Sequence, residues 1–392
     1  VALLIATLDT KGEEARFVRD ALRQQGVDVA AVDAGSLGPP LLEAEYPREA
    51  VFSGPIPPER GEAVAAAAEG VTRLAVRLHN EGRLAGVLGL GGSAGTVIAT
   101  AAMRALPVGV PKVMVSTLAS GQVRPYVGLR DVCMIHSVVD LAGLNQVSRP
   151  VLWNAAQAMA GMVRCPVPRA EPLPVLAATM FGVTTPCVEA ARRELEAAGK
   201  EVLVFHATGV GGRTMESLIA DGTVQGVLDV TTTELADELV GGVLSAGPDR
   251  LRAAAKYGVP QVVSVGALDM VNFGPMDTVP ERLRGRRLHV HNPSVTLMRT
   301  TPEENAQLGE WIGERVSAST GPASVFVPRK GVSALDREGG PFWWPEADAA
   351  LFAALRASVR RPARLVEMDC HINDDAFARE MAKALLAMVS AQ

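Results

Sequence analysis

Short strings recur in the same order in the two halves of this chain, and that order restricts the fold more than any single motif does. ALLIATLDTKGEE, from Ala2, leads through a helical stretch to GVDVAAVDAG at Gly26; PVLAATMFGVTTPCVEAARRELEAAG, from Pro174, leads to GKEVLVFHATG at Gly199. GVLGLGGSAGT at Gly86 is answered by GVLDVTTTEL at Gly226, and GVPKVMVSTLASG at Gly109 by GVPQVVSVGALDM at Gly258. Each segment reads as apolar strand, polar or glycine-rich loop and amphipathic helix, the grammar of parallel sheets with helices on their faces. The expected fold is α/β: two Rossmann-like lobes with mostly parallel sheets, related by internal duplication, at residues 1–168 and 169–392. Loops at the carboxyl ends of such strands bind ligands, so both sets are expected to face a shared crevice.

Composition narrows the possible functions. A chain of 392 residues has length for two cores, and 48% hydrophobic but only 4% aromatic residues point to the Ala, Val, Leu and Ile filling of parallel sheets. A net charge of -5 leaves no basic footprint for nucleic acid. The run RLRGRR, from Arg282 to Arg287, reads as a solvated turn. Cys133, Cys165, Cys187 and Cys370 are widely spaced with no CxxC, which suggests neither a zinc knuckle nor a disulfide framework. Reduced thiols in a cytoplasmic setting are expected, with no signal peptide ahead of the first strand. Leu84 to Met103 carries no charge, yet its five glycines and central GGSAG fit strand, loop and helix better than a membrane span. A homodimer is the expected assembly.

Along the chain, Ala2 to Leu8 is wholly apolar and reads as a buried strand, DTKGEE as the turn after it, and Glu13 to Gln25 as a helix stopped by Gly26. GGSAGT is expected as a loop opening a helix at Val97. The second lobe is expected to run strands at 175–180, 201–205, 226–230, 260–265 and 288–291, with extra strands at 324–327 and 364–368. RCPVPRAEPLP, Arg164 to Pro174, has four prolines and is the expected linker.

Several loops are suited to chemistry. Gly91, Gly92, Ser93, Gly95 and Thr96 precede a helix, where unpaired backbone N–H groups and the helix dipole favour an anion. The loop lacks the Gly-Lys-Ser/Thr of a Walker A motif and is not GxGxxG. Thr10 and Lys11, after the first strand, and Ser120 and Gly121, after VMVS, are expected to add donors. In the second lobe Gly211, Gly212 and Arg213 read as a further anion cradle with a fixed cation, and Thr231, Thr232 and Thr233 as hydroxyls for the same substrate group. His206, Asp269 and His291 sit at predicted strand ends and are the candidate catalytic residues. A metal-dependent hydrolase or isomerase using His206, His291 and His371 is the competing chemistry, although no HExxH spacing supports it. Trp343 and Trp344 read as a surface lid or interface anchor.

The strings ATLDTKGEE, GGSAGT, HSVVDLAGLN, TMFGVTTPCV, FHATGVGGRTME, VLDVTTTELADELVGG, GALDMVNFG, HNPSVTLMRTT and DCHINDDAFA carry a resemblance over essentially the whole chain. It resembles the uncharacterised bacterial and fungal family related to the N-terminal region of the tomato mosaic virus resistance protein. The resemblance implies a two-lobed architecture that binds ATP, onto Gly91, Gly92, Ser93, Gly95 and Thr96; Mg²⁺ is a candidate companion ion of the nucleotide. It also implies a TIM-barrel partner, which in the plant relative follows in the same chain. The function expected on these grounds is an ATP-binding enzyme acting on a small acidic or carbonyl substrate, the alternative being a non-catalytic nucleotide-dependent module that regulates a separate TIM-barrel protein.

Overall fold

Five apolar runs of the first unit pair into a single parallel sheet. The computed structural model describes residues 1–165 and 173–391, so residues 166–172 of the expected linker lie outside the described residues. The chain divides into two units, Val1–Ala170 and Glu171–Gln392. The first opens with β1 (Ala2–Ala6), α1 (Leu8–Gln24), β2 (Val29–Asp33), α2 (Arg48–Val51) and α3 (Arg60–Asn80). It continues with β3 (Gly86–Gly91), α4 (Ser93–Ala105), β4 (Lys112–Ser116), α5 (Arg124–Val127), β5 (Cys133–His136) and α6 (Ser148–Arg164).

The sheet order is β2-β1-β3-β4-β5, with every pairing parallel. Side chains alternate across it, as strand geometry requires. Leu4, Leu88, Val113 and Val115 share a core with Val18 and Leu22 of α1 and Leu152 and Met159 of α6. Leu3, Ile5, Val87 and Met114 share the other core, with Leu74 and Leu78 of α3 and Ile98 and Met103 of α4. Both faces are therefore covered, which is why the strands read as unbroken apolar runs.

Two helix starts differ from expectation. α1 begins at Leu8 rather than Glu13, so Asp9, Thr10 and Lys11 form its first turn, which is irregular at Lys11 (φ -123°, ψ 19°). The Asp33 carboxylate fixes that start by accepting from the Leu8 N–H at 3.2 Å. α4 begins at Ser93, placing most of GGSAGT inside the helix rather than in a loop.

The second unit opens with β6 (Val175–Met180), α7 (Thr185–Ala197), β7 (Glu201–His206), α8 (Val210–Ala220), β8 (Gly226–Thr231), α9 (Thr233–Val240) and α10 (Ala253–Tyr257). It continues with β9 (Gln261–Gly266), β10 (Met270–Phe273), β11 (Leu288–Asn292), β12 (Val295–Arg299) and α11 (Pro302–Ser317). It closes with β13 (Ala323–Pro328), α12 (Pro345–Ser358), β14 (Arg364–Met368) and α13 (Asp375–Ser390). Its main sheet is six-stranded and parallel, in the order β14-β13-β9-β8-β6-β7. Counted within each unit, the two sheets share the order 2-1-3-4-5, the second adding one more strand at its edge. That order is common to doubly wound sheets of the flavodoxin type, so it states a fold and not a descent.

One strand expected in the parallel series belongs elsewhere. Residues 288–291 fall in β11, which pairs antiparallel with β12 in a separate three-stranded sheet, β10-β12-β11. The cause is local: Asn292 Oδ1 accepts from the Ser294 N–H at 2.8 Å, a side-chain turn that sends the chain straight back into β12.

Candidate functional site

In the first unit the strand order reverses between β1 and β3, and the loops leaving those strands open the crevice where such sheets take ligands. A cavity of about 640 Å³ lies there. Its lining includes Thr7, Thr10 and Lys11 from α1 and the residue before it, Gly92 to Gly95 from α4, and Thr117 after β4. Two helix N-termini thus reach one space. Both helix dipoles favour negative charge there; at α1 the Leu8 N–H already donates to Asp33 and the Thr10 N–H to the Thr7 carbonyl, whereas at α4 the Thr96 N–H is the first to meet an intrahelical acceptor, the Gly92 carbonyl.

Two cations line the same space. Lys11 Nζ donates to the Leu141 carbonyl, which holds the side chain at the cavity. Arg60, at the first position of α3, lines both this cavity and an adjoining one of about 110 Å³, and it forms no ion pair among the described residues. The adjoining cavity is walled mainly by apolar side chains, among them Ala34, Leu37, Ala63, Val64 and Ile98. The third wall of the larger one is the segment after β5, His136 to Asp140. Val138 there has φ 67°, a left-handed conformation unusual for a β-branched residue and found where surroundings impose it. The Ser137 hydroxyl donating to Val139 O at 2.7 Å, and Gly143 N–H donating to Glu14 Oε1 at 2.8 Å, are among those surroundings.

Of the residues expected to meet phosphate, Thr10, Lys11, Gly92, Ser93 and Gly95 line the cavity. Gly91 and Thr96 do not. The Thr96 hydroxyl is buried, bonded to the Gly92 carbonyl at 2.8 Å and to Ser116 Oγ at 2.7 Å. Gly91 and Gly95 let α4 approach β3, since a Cβ on Gly91 would stand 2.8 Å from the Gly95 Cα. Ser120 and Gly121 are exposed on the turn beyond, and Thr117 and Leu118 take the place expected of them. Asp9 holds the loop after β2: its Oδ2 accepts from the Leu37 N–H at 2.7 Å and lies 3.3 Å from Arg48.

In the second unit the expected anion cradle is already filled from within. Gly209 and Gly212 N–H groups donate to Glu234 Oε1 at 2.6 and 3.0 Å, and Arg250 Nε donates to Glu234 Oε2 at 2.6 Å. Arg250 is fully buried and also binds both oxygens of Asp229, at 2.5 and 2.7 Å. A Cβ on Gly212 would run into the Glu234 carboxylate, and one on Gly211 into the His206 carbonyl, so both glycines serve packing. Arg213 Nε turns back to the Gly209 carbonyl at 3.2 Å. Thr231, Thr232 and Thr233 are wholly buried, their hydroxyls bonded to Thr184, the Ser264 carbonyl and the Met270 carbonyl. Those hydroxyls are spent on the fold, contrary to the expectation that they stand free.

Both halves of the chain match family models. Residues 1–168 match the N-terminal domain, and residues 173–389 the C-terminal domain, of the uncharacterised protein family UPF0261. The chain belongs to that family. It is 49% identical to a UPF0261 protein of Clostridium tetani over 99% of this chain and 98% of the relative. A UPF0261 protein of Mesorhizobium japonicum is 48% identical over 97% and 98%. The tomato ToMV susceptible protein tm-1(GCR26) is 40% identical over 98% of this chain, which spans about half of the plant protein (55%). Among solved structures an esterase domain from Rhodothermus marinus covers 55% of this chain and 84% of its own, at 16% identity and a TM-score of 0.30, a likeness too slight to bear on chemistry.

In this UPF0261 chain the candidate catalytic residues of the second unit stand apart in character. Asp269 is fully buried; its Oδ2 accepts from Ser333 Oγ at 2.7 Å and its Oδ1 has no hydrogen-bond partner. Burial, then the charge of Asp336, pushes its carboxyl up to about 8. His206 ends β7 exposed, tilted against the Phe181 ring at 5.5 Å. His291 is exposed on the antiparallel β11, 6.5 Å from the His289 ring. His371 has both ring nitrogens engaged, Nε2 with the Ser333 carbonyl at 2.9 Å and Nδ1 accepting from the Asn373 N–H at 3.1 Å. Among the described residues no group of three or more His, Cys, Asp or Glu is placed to hold a metal ion, so the three histidines are not gathered as that chemistry requires. No helix of the described residues is long and apolar enough to cross a membrane. Trp344 is stacked under Arg287 at 5.2 Å, and Trp343 is 44% exposed.

Proposed function

We propose that this chain is an ATP-binding protein whose nucleotide phosphates sit in the first unit's cavity, and that it is an enzyme for a small acidic or carbonyl substrate. The observation that carries the reading is the meeting of the α1 and α4 N-termini with Lys11 and Arg60 in one cavity. The donor set fits a polyphosphate: backbone N–H groups of Ser93, Ala94 and Gly95, the exposed Ser93 hydroxyl, Thr7 and Thr10, and the two cations. Asp140 is the carboxylate lining the cavity and would face a Mg²⁺ ion accompanying the phosphates. When bound, ATP supplies a transferable phosphoryl group or binding energy; the chain's own residues orient the phosphates and neutralise their charge. The size of the space, about 640 Å³ beside an apolar annex, is in the range of small-molecule sites.

Gly92→Asp tests the reading directly. Gly92 is the N-cap of α4 at φ -78°, and a Cβ there meets nothing nearer than Thr117 Oγ1 at 3.7 Å. Aspartate is a favoured N-cap residue, so the fold is retained while a fixed carboxylate occupies the anion's place. ATP affinity, measured by calorimetry, is expected to fall at least about tenfold, equivalent to about 1.4 kcal/mol; undiminished affinity would remove the cavity from the argument.

A second reading, a nucleotide-dependent module without turnover that regulates a separate TIM-barrel protein, draws support from the second unit. There the threonine hydroxyls expected around a substrate are buried and bonded within the fold, and Glu234 fills the glycine cradle. Steady-state ATP hydrolysis in the presence of candidate carboxylates separates the two: turnover favours the enzyme, tight binding without turnover the module.

A further inference from the structure

On the second unit, α10, α11 and the residues at their ends line a cavity of about 290 Å³, formed by Arg252, Ala255, Lys256, Glu314, Arg315 and Ala318. Three of these six side chains are cationic and one is acidic. None of the three cations forms an ion pair among the described residues, although carboxylates are plentiful in this unit. Other acids of this unit are tied to further partners: Asp229 and Glu234 to Arg250, Glu216 to Arg250 and to the backbone, and Glu238 to the Ser245 hydroxyl.

Arg315 is the informative member. Only 8% of it is exposed, its Nη1 donates to the Arg250 carbonyl at 3.1 Å, and its guanidinium lies 4.9 Å over the Trp311 ring. Burial, followed by the neighbouring charges of Arg252 and Arg250, lowers its pKa from the usual arginine range, against a smaller opposing pull from Glu216 and Glu238. A guanidinium held this deep with Glu216 and Glu238 only as neighbouring charges, and no direct ion pair among the described residues, is costly, and an anion in the cavity would offset that cost. Its fork is stacked and so pre-oriented, the arrangement in which arginine binds planar or tetrahedral oxyanions best.

The backbone beside it is strained in a way that serves the same geometry. Leu251 is buried with φ 68°, a left-handed conformation that strains a non-glycine residue. Glu216 enforces it by accepting from the N–H groups of Leu251 at 2.7 Å, Arg252 at 3.3 Å and Ala253 at 2.7 Å. The turn buries Arg250 and leaves Arg252 exposed at the cavity.

We infer that this cavity is a second oxyanion site, for phosphate or a small phosphate monoester, held by Arg315 from within and by Arg252 and Lys256 at the mouth. Its volume lies at the low end for ligand sites, and Glu314 at the wall accepts a hydroxyl while repelling a second phosphate. The site is independent of the nucleotide reading.

The test is calorimetric titration of inorganic phosphate, and separately of glycerol 3-phosphate, into the full chain, its Gly92→Asp variant and an Arg252→Ala/Lys256→Ala double variant. Both mouth residues are exposed, so the double variant leaves the core intact; circular dichroism confirms it. One saturable site is expected to survive Gly92→Asp and to weaken at least tenfold in the double variant, with Arg315→Lys weakening it as well through loss of the fork. Tighter binding of the ester identifies a phosphorylated metabolite as the occupant, and equal or weaker binding identifies free phosphate. Absence of a saturable site in the unaltered chain, or one of undiminished affinity when the double variant is combined with Gly92→Asp, overturns the inference. A site abolished by Gly92→Asp alone also overturns it while leaving the nucleotide reading standing, and ATP affinity unmoved by Gly92→Asp defeats that reading without touching this one.

Discussion

Glu234 illustrates how a single residue redirects the reading of a glycine-rich loop. The backbone N–H groups of Gly209 and Gly212 do bind an anion, as their sequence suggests, but the anion is the chain's own carboxylate, itself matched by the buried Arg250. Nothing in TTTEL announces this, because a glutamate early in a helix reads equally well as a partner of its own helix dipole. Asp269 carries a different consequence of burial. Its unfolded value is about 3.9, and in the fold it is pushed up to about 8 by burial and then by Asp336. Between those values the unfolded chain has released the proton and the folded chain retains it, so stability present below about pH 4 is lost progressively as pH rises toward about 8. Asp348, which burial and then Asp336 push up to about 7, adds a slope of the same sign. Asp269→Asn is therefore expected to flatten the fall in urea midpoint between about pH 5 and pH 8, by at most about 1.4 kcal/mol per pH unit for the one proton. An unchanged slope would mean that Asp269 ionises normally.

At the scale of elements, close packing of α4 on β3 is what presents the Gly92–Gly95 turn to the first unit's cavity. Gly89 sits in β3 with Ala99 and Met114 pressed against its empty side; a Cβ would collide with the Ala99 methyl and stand 2.7 Å from the Met114 sulfur. Gly89→Ala is expected to lower stability by about 1–3 kcal/mol through overpacking and to weaken ATP binding beyond that, since α4 must shift as a body. Denaturant unfolding and calorimetry on the same sample check both, and a variant of unaltered stability and affinity would show that the helix tolerates displacement. The parallel strands were legible because burial on both faces leaves an unbroken apolar run, as in LLIA and VLGLG. The antiparallel sheet was not: MVNF and VTLMR are short, and their pairing depends on the Asn292 turn, a side-chain hydrogen bond that apolar periodicity does not register. Helix α11 stands at the other extreme, since Thr301, Pro302 and Glu304 spell out a capping box that the structure forms, with Glu304 N–H donating to Thr301 Oγ1 at 3.2 Å.

At the scale of the whole molecule, two units of like strand order differ at their glycine-rich loops, one opening on a cavity lined by Lys11 and Arg60 and one closed by Glu234. The glycines and Lys11 of the first were visible as strings, whereas Arg60 and the His136–Asp140 wall were not, because only the sheet order brings the start of α3 and the end of β5 to the same loops. The difference between the units predicts where nucleotide is felt. A ligand that binds only the folded form at a hundredfold over its Kd stabilises it by about 2.7 kcal/mol, and hydrogen exchange reports which amides share in that gain. ATP is expected to slow exchange in the first turns of α1 and α4 and in residues 136–143, whose Gly143 amide is tied to Glu14 of α1. The amides of Gly209 and Gly212 are expected to exchange at the same rate with and without ATP, because their acceptor is already in place. Protection that appears at α8 and is missing at Ser93–Thr96 would transfer the nucleotide to the second unit and would require Glu234 to leave its cradle.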